Sequence, residues 1–410
     1  MALTATEEFN IKQVQEQQRL NIEKENKTAF RKASNMPNYR AYLSGSLLFM
    51  TLMMSVFHVF PELMSRGYLA SSVFFATLGF TLCDYSFNVH SVKLRKQSRE
   101  LKKQIVSLIF PVIFVASVVG LFATVVGNGL DINIKGAYFS TVFMSNNIWQ
   151  IISGNAYMDS AALKSPLSGF WPVAVAFQFL LLFKGMKYLA VKFFHKTKCD
   201  TRKAMMRISS VIAAVSVLIY AGALFYGVSK DKILFSIDVK VFAFAGGITA
   251  ALAIPGRIHS DGDKAPESGK LKNNICIGCM LASLIGMAVI PVTQSKFAEV
   301  VIPVIYGVVS IVLVVFVYKN GSQIVGVMSN KYLNMIAKRS FAFYLWHYPA
   351  VIITKSFMGS VRMPYVFMFV IQLIIAIVMA ELVGRSRPPS RSGGLRRRIR
   401  CAPPSPRAGP

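Results

Sequence analysis

Ser340-Phe341-Ala342-Phe343-Tyr344-Leu345-Trp346-His347-Tyr348-Pro349-Ala350-Val351-Ile352 sets a histidine among aromatic rings, with a proline two residues on, inside a run apolar enough to cross a bilayer. An ionisable ring at that depth is costly to bury, so His347 is a functional-site candidate by default. Working outward, similar apolar runs recur along most of the chain, and Leu48-Phe49-Met50-Thr51-Leu52-Met53-Met54-Ser55-Val56-Phe57-His58 closes on a second histidine. Of the 410 residues 54% are hydrophobic and 16% are charged, against roughly 25% charged in a soluble domain. The chain therefore reads as an all-α polytopic membrane protein.

Ten apolar segments are expected, near residues 43–61, 67–86, 104–127, 170–190, 208–227, 238–255, 274–293, 300–318, 340–357 and 364–384. The basic connections at residues 93–96, 192–207, 257–272 and 319–339 then fall on one side, which the excess of Lys and Arg marks as cytoplasmic, and both termini share it. Most of the formal charge of +28 lies in these loops and in the tails, where it meets anionic headgroups rather than nucleic acid. Residues 1–39 form a polar cytoplasmic extension without a signal-peptide core, residues 40–385 the transmembrane domain, and residues 386–410 a basic tail rich in Arg, Pro and Ser that cannot bury a core. On the other side the connection 128–169 is low in Lys and Arg, and is expected to carry a re-entrant or surface helix around Tyr138-Phe139-Ser140-Thr141-Val142-Phe143.

The five cysteines are scattered and form no disulfide framework; Cys276-x-x-Cys279 has no second pair near it and reads as two buried thiols. No P-loop, dinucleotide fingerprint, zinc motif or Gly-x-Ser-x-Gly elbow occurs, and nothing points to a bound metal. Asp84 and Glu381 stand near span ends where water can reach them. Gly246, Gly247 and Gly278 are expected to admit close helix packing. His90, His195 and His259 lie in or beside basic loops, where solvation is explanation enough.

Several segments, in chain order, resemble the bacterial membrane acyltransferase-3 family, whose members transfer acyl groups to surface glycans. They are Tyr39-Arg40-Ala41-Tyr42-Leu43-Ser44-Gly45 with the run to His58, then Gly67-Tyr68-Leu69-Ala70-Ser71-Ser72-Val73-Phe74-Phe75-Ala76-Thr77-Leu78-Gly79-Phe80, then Ser165-Pro166-Leu167-Ser168-Gly169-Phe170-Trp171 with Gln178-Phe179, and Tyr344-Leu345-Trp346-His347-Tyr348-Pro349. The chain departs from the family at polar positions. Leu47 stands where the family has an arginine eleven residues before the first histidine; Ser44 and Ser72 replace aspartates, and Ala176 and Phe177 replace acidic residues. The arginines that precede the third-span proline have no match in Val106-Ser107-Leu108-Ile109-Phe110-Pro111.

The resemblance implies an O-acyltransferase of the bacterial inner membrane that uses acyl-CoA, most simply acetyl-CoA, as co-substrate and a polysaccharide or lipid-linked glycan as acceptor. A sugar hydroxyl attacking a thioester must lose a proton, and a neutral imidazole with an ordinary pKa of about 6.5 can accept it. His58 is the expected base. His347, Tyr344, Trp346, Tyr348 and Trp171 are expected to line the site, where a Trp, a Tyr or Lys240 can donate to the oxyanion. Pro349 removes a backbone donor and is expected to kink its span and open a polar pocket there. Arg40 and Lys240 are the candidates to hold the acyl-CoA. Arg40 shares a helical face with His58 across eighteen residues, about 27 Å at 1.5 Å each, so it would act at the cytoplasmic mouth. The missing polar positions motivate a second reading, a catalytically degenerate scaffold in glycan export or assembly. A small-molecule transporter is a third, because spans with broken helices suit alternating access.

Overall fold

The computed structural model describes residues 39–87, 94–154, 165–194, 198–254, 270–291, 295–319, 331–358 and 364–385. The tail, the extension apart from residue 39, and His90, His195 and His259 lie outside the described residues, as do the side chains of Arg40, Cys199, Cys276 and Cys279. No strand occurs among the described residues. In chain order they form α1 (Tyr39–Val59), a 3-10 turn (Gly67–Ala70), α2 (Ser71–Phe87), α3 (Leu94–Val126), α4 (Ile134–Val142) and α5 (Asn146–Ile152). A second 3-10 turn (Ser168–Phe170) leads into α6 (Trp171–Phe194), then α7 (Lys198–Phe225), α8 (Lys230–Phe235), α9 (Ile237–Ala253), α10 (Lys270–Val289), α11 (Lys296–Lys319), α12 (Lys331–Met358) and α13 (Tyr365–Arg385). Each of the ten apolar segments falls on one of these helices.

Among the described residues five helices are long and apolar enough to cross a membrane, through Tyr42–Val59, Leu108–Val126, Ser168–Lys192, Thr201–Phe225 and Lys296–Tyr318. Their outer faces are not those of a water-soluble bundle. Phe110, Leu121 and Val125 on α3, Val211 and Leu218 on α7, Val312 on α11 and Val366, Phe367 and Ile374 on α13 are all exposed. Apolar surface on that scale marks contact with a partner phase, which for helices of this length is lipid.

Close packing at the centre rests on two reciprocal glycines. A Cβ on Gly79 of α2 would overlap the Phe244 carbonyl of α9, and one on Gly247 of α9 would overlap the Ala76 carbonyl of α2. Small residues at such a crossing let backbones meet directly, the main source of helix association where lipid removes the hydrophobic incentive. Phe179 of α6 stacks on Phe244 at 4.5 Å beside them. Gly246 likewise faces Ile311 of α11, but Gly278 has open space where its Cβ would be, so the expectation of packing at that position fails. Gly79→Leu is expected to lower stability by about 1–3 kcal/mol or more through overpacking. A melt of the detergent-solubilised variant that coincides with the parent's would contradict this packing.

Contacts between helix ends order the bundle. At one end the start of α1, the end of α2 and the end of α11 meet: Tyr42 and Tyr318 lie 6.5 Å apart, and Tyr318 donates to Asp84 Oδ2 at 2.9 Å. Asp84 is buried, which corrects the expectation of a water-reached carboxylate; α11 has closed over the end of α2. Arg202 near the start of α7 donates to the Leu252 and Ile254 carbonyls that α9 leaves open, at 2.7 and 2.9 Å. Glu381 near the end of α13 accepts both arms of Arg339 from α12, at 2.8 and 2.9 Å. The opposite end gathers the end of α1, the starts of α6, α9 and α11, and the last turns of α12. The functional candidates lie there.

Candidate functional site

His58 occupies the last turn of α1, on the face that also carries Leu47, Thr51 and Ser55. The Thr51 and Ser55 hydroxyls bond back to the Leu47 and Thr51 carbonyls, both at 2.7 Å, so no free hydroxyl competes for the core. Leu47 is itself buried. Helix α12 packs along this face and continues through Pro349 to Met358. It brings His347 against His58, with ring centroids 6.3 Å apart, and sets the Tyr348 ring edge-on to His58 at 4.8 Å. The two histidines are 8% and 4% exposed, so both are withdrawn from bulk solvent.

The His347 tautomer follows from its backbone partner. Nδ1 bonds to the Tyr344 carbonyl one turn earlier, and a carbonyl can only accept, so Nδ1 carries the proton and Nε2 the lone pair. Nε2 is buried without a hydrogen-bond partner among the described residues. A buried acceptor left open in this way is uncommon and costs free energy, which suits a group whose partner is a substrate.

The remaining expected lining residues divide. Tyr344 donates to the Gly169 carbonyl at 2.6 Å, and a Cβ on Gly169 would overlap the Tyr348 ring, so the turn at Ser168–Phe170 fits tightly onto α12. Trp171, which follows that turn, is buried and packs edge-on to Phe235 at 6.0 Å. Trp346 is buried too, but it makes no ring contact with the pair among the described residues. Lys240, in the first turn of α9, sits 5.7 Å from both the Tyr68 and the Trp171 ring centroids. It is therefore at the His58 end, whereas Arg40 begins α1 at the other.

Other residues at the site were not singled out from the sequence. Lys355 reaches from α12 to donate to the His58 carbonyl at 3.0 Å, supplying a cation to the open C-terminus of α1. Its place eight residues, or about two turns, after His347 could have marked it. Arg66, in the loop after α1, is fully buried: its guanidinium meets Glu299 of α11 at 2.5 and 3.1 Å, and also donates to the Ile290 and Pro291 carbonyls beyond α10. Pro303 has no N–H to offer the Glu299 carbonyl four residues earlier, and the Tyr220 hydroxyl takes that place at 2.6 Å.

The helix expected in the connection 128–169 is present as α4 and α5. They are held by a buried amide cluster: Asn147 and Gln178 exchange bonds at 3.2 and 2.9 Å, and Asn146 donates to Thr141 at 2.9 Å and to the Leu167 carbonyl at 3.3 Å. This cluster supports the Ser168–Phe170 turn and, through it, Tyr344.

Residues 36–381 match the model of a family described as an acyltransferase domain. O-acetyltransferase OatA of Staphylococcus aureus is 23% identical over 373 residues, which are 88% of this chain and 58% of that protein. Peptidoglycan O-acetyltransferase OatA of Listeria monocytogenes is 21% identical over 331 residues, 80% of this chain and 52% of that protein. The chain thus spans a little over half the length of these curated relatives. No solved structure matches it.

Proposed function

This chain belongs to the acyltransferase domain family, as a multi-pass membrane protein, and from that premise we propose that it is an O-acetyltransferase acting on a glycan hydroxyl. The observation that carries the reading is the buried pair of histidines at one end of the bundle, with the Nε2 lone pair of His347 unsatisfied among the described residues. His58 takes the proton of the attacking hydroxyl as the sugar oxygen bonds to the thioester carbonyl carbon. His347 accepts at Nε2 a hydrogen bond from a neighbouring hydroxyl of the acceptor and so orients the sugar. When the tetrahedral intermediate collapses the C–S bond breaks, and the thiolate leaves and takes up the proton. Preorganised donors are worth most in a site this dry.

The basic connections put the Tyr39 end in the cytoplasm of a bacterial inner membrane and the histidines at the outer face. The donor is acyl-CoA, most simply acetyl-CoA, held at the cytoplasmic mouth by Arg40. Its thioester-bearing arm must then reach along α1, about 27 Å for eighteen residues, to present the carbonyl carbon to His58. The acceptor is an extracytoplasmic glycan. The peptidoglycan in the name of the Listeria relative is the first candidate, and a polysaccharide or lipid-linked precursor the next.

Mass analysis of the host's surface glycans with and without this chain tests the reading without assuming any residue's role. Loss of O-acetyl groups on deletion, restored on complementation, is the expected result. Leu47, buried on the His58 face where the family has an arginine, favours one other reading, a scaffold that serves glycan export or assembly without transfer. Glycan retained inside the cell with unchanged acyl content would support it and end the first.

A further inference from the structure

Tyr68 has two neighbours that matter. On one side its ring packs edge-on to Phe57 at 5.8 Å, and Phe57 lies 5.1 Å from His58. On the other it lines a pocket open at its mouth, between α7, α8, α9, α11 and the Gly67–Ala70 turn. The Tyr68 and Phe57 rings separate this pocket from His58.

The charges in and around this pocket do not balance. Glu299 is the carboxylate in its lining, and it is already committed to the guanidinium of Arg66, with Lys230 a further 3.8 Å from the same oxygen that Arg66 holds closest. Lys240, also in the lining, has neither an ion pair nor a hydrogen bond among the described residues; its ammonium is met by the Tyr68 and Trp171 rings alone. Asp238, one half-turn before it, receives the Ser236 hydroxyl instead. In the lining Lys230 and Lys240 stand against Glu299, whose charge Arg66 already meets. A cation on aromatic faces gains only about 0.5–2 kcal/mol, and half-buried Lys240 keeps an ammonium that an anion in the pocket can pair with. Tyr68, Tyr220 and Phe242 bring aromatic rings to the same lining.

We propose that this pocket binds an anionic saccharide, its carboxylate or phosphate paired with Lys240 and its ring against the aromatic walls, and so holds the acceptor beside the histidines. The acceptor role rests on the transferase reading; the binding does not. Calorimetric titration of the purified full-length chain in detergent, with glucuronate, glucose 1-phosphate and glucose as probes, measures it without turnover. Saturable binding of at least one acid but not of glucose, weakened by added salt, is expected, and whichever acid binds tells a sugar carboxylate from a phosphate. Lys240→Gln should weaken binding tenfold or more and Lys240→Arg should retain most of it. Lys230→Gln, at the part-exposed mouth, should weaken it several-fold and keeps the test open if the Lys240 variant fails to fold. Binding of neither acid, equal binding of glucose, or undiminished binding by a folded Lys240→Gln protein overturns the pocket. Anion binding that persists in a protein with no acetyl-transfer activity would remove the transferase reading and leave the pocket standing.

Discussion

Acetyl transfer by a His58→Ala protein is expected to fall by about 10²- to 10⁴-fold, the usual contribution of a positioned general base. The geometry makes the loss specific. His58 ends α1, its carbonyl is held by Lys355, and its ring lies between Tyr348 and Phe57, so truncation removes an imidazole and leaves the helix and its neighbours in place. The measurement is O-acetyl content of surface glycan in a deletion host carrying the variant, with the membrane-inserted amount checked in parallel. Fully acetylated glycan at a normal protein level would sink the assignment of His58. His347→Gln is the companion variant. It keeps a polar group of similar reach but loses the imidazole lone pair at Nε2, and a smaller loss is expected because His347 orients the sugar through a neighbouring hydroxyl and takes no proton in the reaction.

Breaking the Arg66–Glu299 pair should cost the most stability. Removing one member of a buried, hydrogen-bonded ion pair typically costs about 3–5 kcal/mol, because the survivor is left charged in a dry place. Here Arg66→Met strands Glu299 and also abandons the Ile290 and Pro291 carbonyls, so the loop after α1 loses its tie to α10 and α11 together. Glu299→Met strands Arg66. The double variant Arg66→Met/Glu299→Met leaves no buried charge behind, and is expected to melt closer to the parent than either single one. Thermal melts of all four proteins in one detergent test this. A single variant that melts with the parent, or a double variant no better than the worse single, would show that the pair is not holding these elements.

Hydrophobic runs, the strongest signal a single chain carries, located every long helix because lipid and core alike demand apolar faces over a fixed length, but α3, α7 and α12 begin nine or ten residues earlier, in the basic connections that such runs leave out. The two histidines stood out for the same reason in reverse, as polar rings in apolar surroundings. Their meeting could not be read, since α1 and α12 are far apart in the chain and only packing sets the distance between them. Arg66 and Glu299 looked like ordinary charged residues at span ends; nothing local distinguishes a loop arginine facing water from one that turns inward to a glutamate more than two hundred residues away. The amides Asn146, Asn147 and Gln178 were hidden in the same way. A low-charge connection is equally consistent with a solvated loop and with short helices stitched by buried side chains, and only the reciprocal bonding of Asn147 and Gln178 settles which. Lys240 was noticed as a possible donor, but its aromatic neighbours Tyr68 and Trp171 come from other segments and could not be read from its own.

The bond from Lys355 to the His58 carbonyl also has a mechanical meaning. It splints the last turn of α1 to α12 at the level of the paired rings, while the interlocked glycines do the same for α2 and α9 in the middle of the bundle. Any breathing motion that spares those two fastenings carries His58 and His347 as one rigid piece. A cycle that alternately parts α1 from α12 would have to break the first fastening at every turn, which speaks against a rocking carrier and for a fixed anvil to which donor and acceptor are brought.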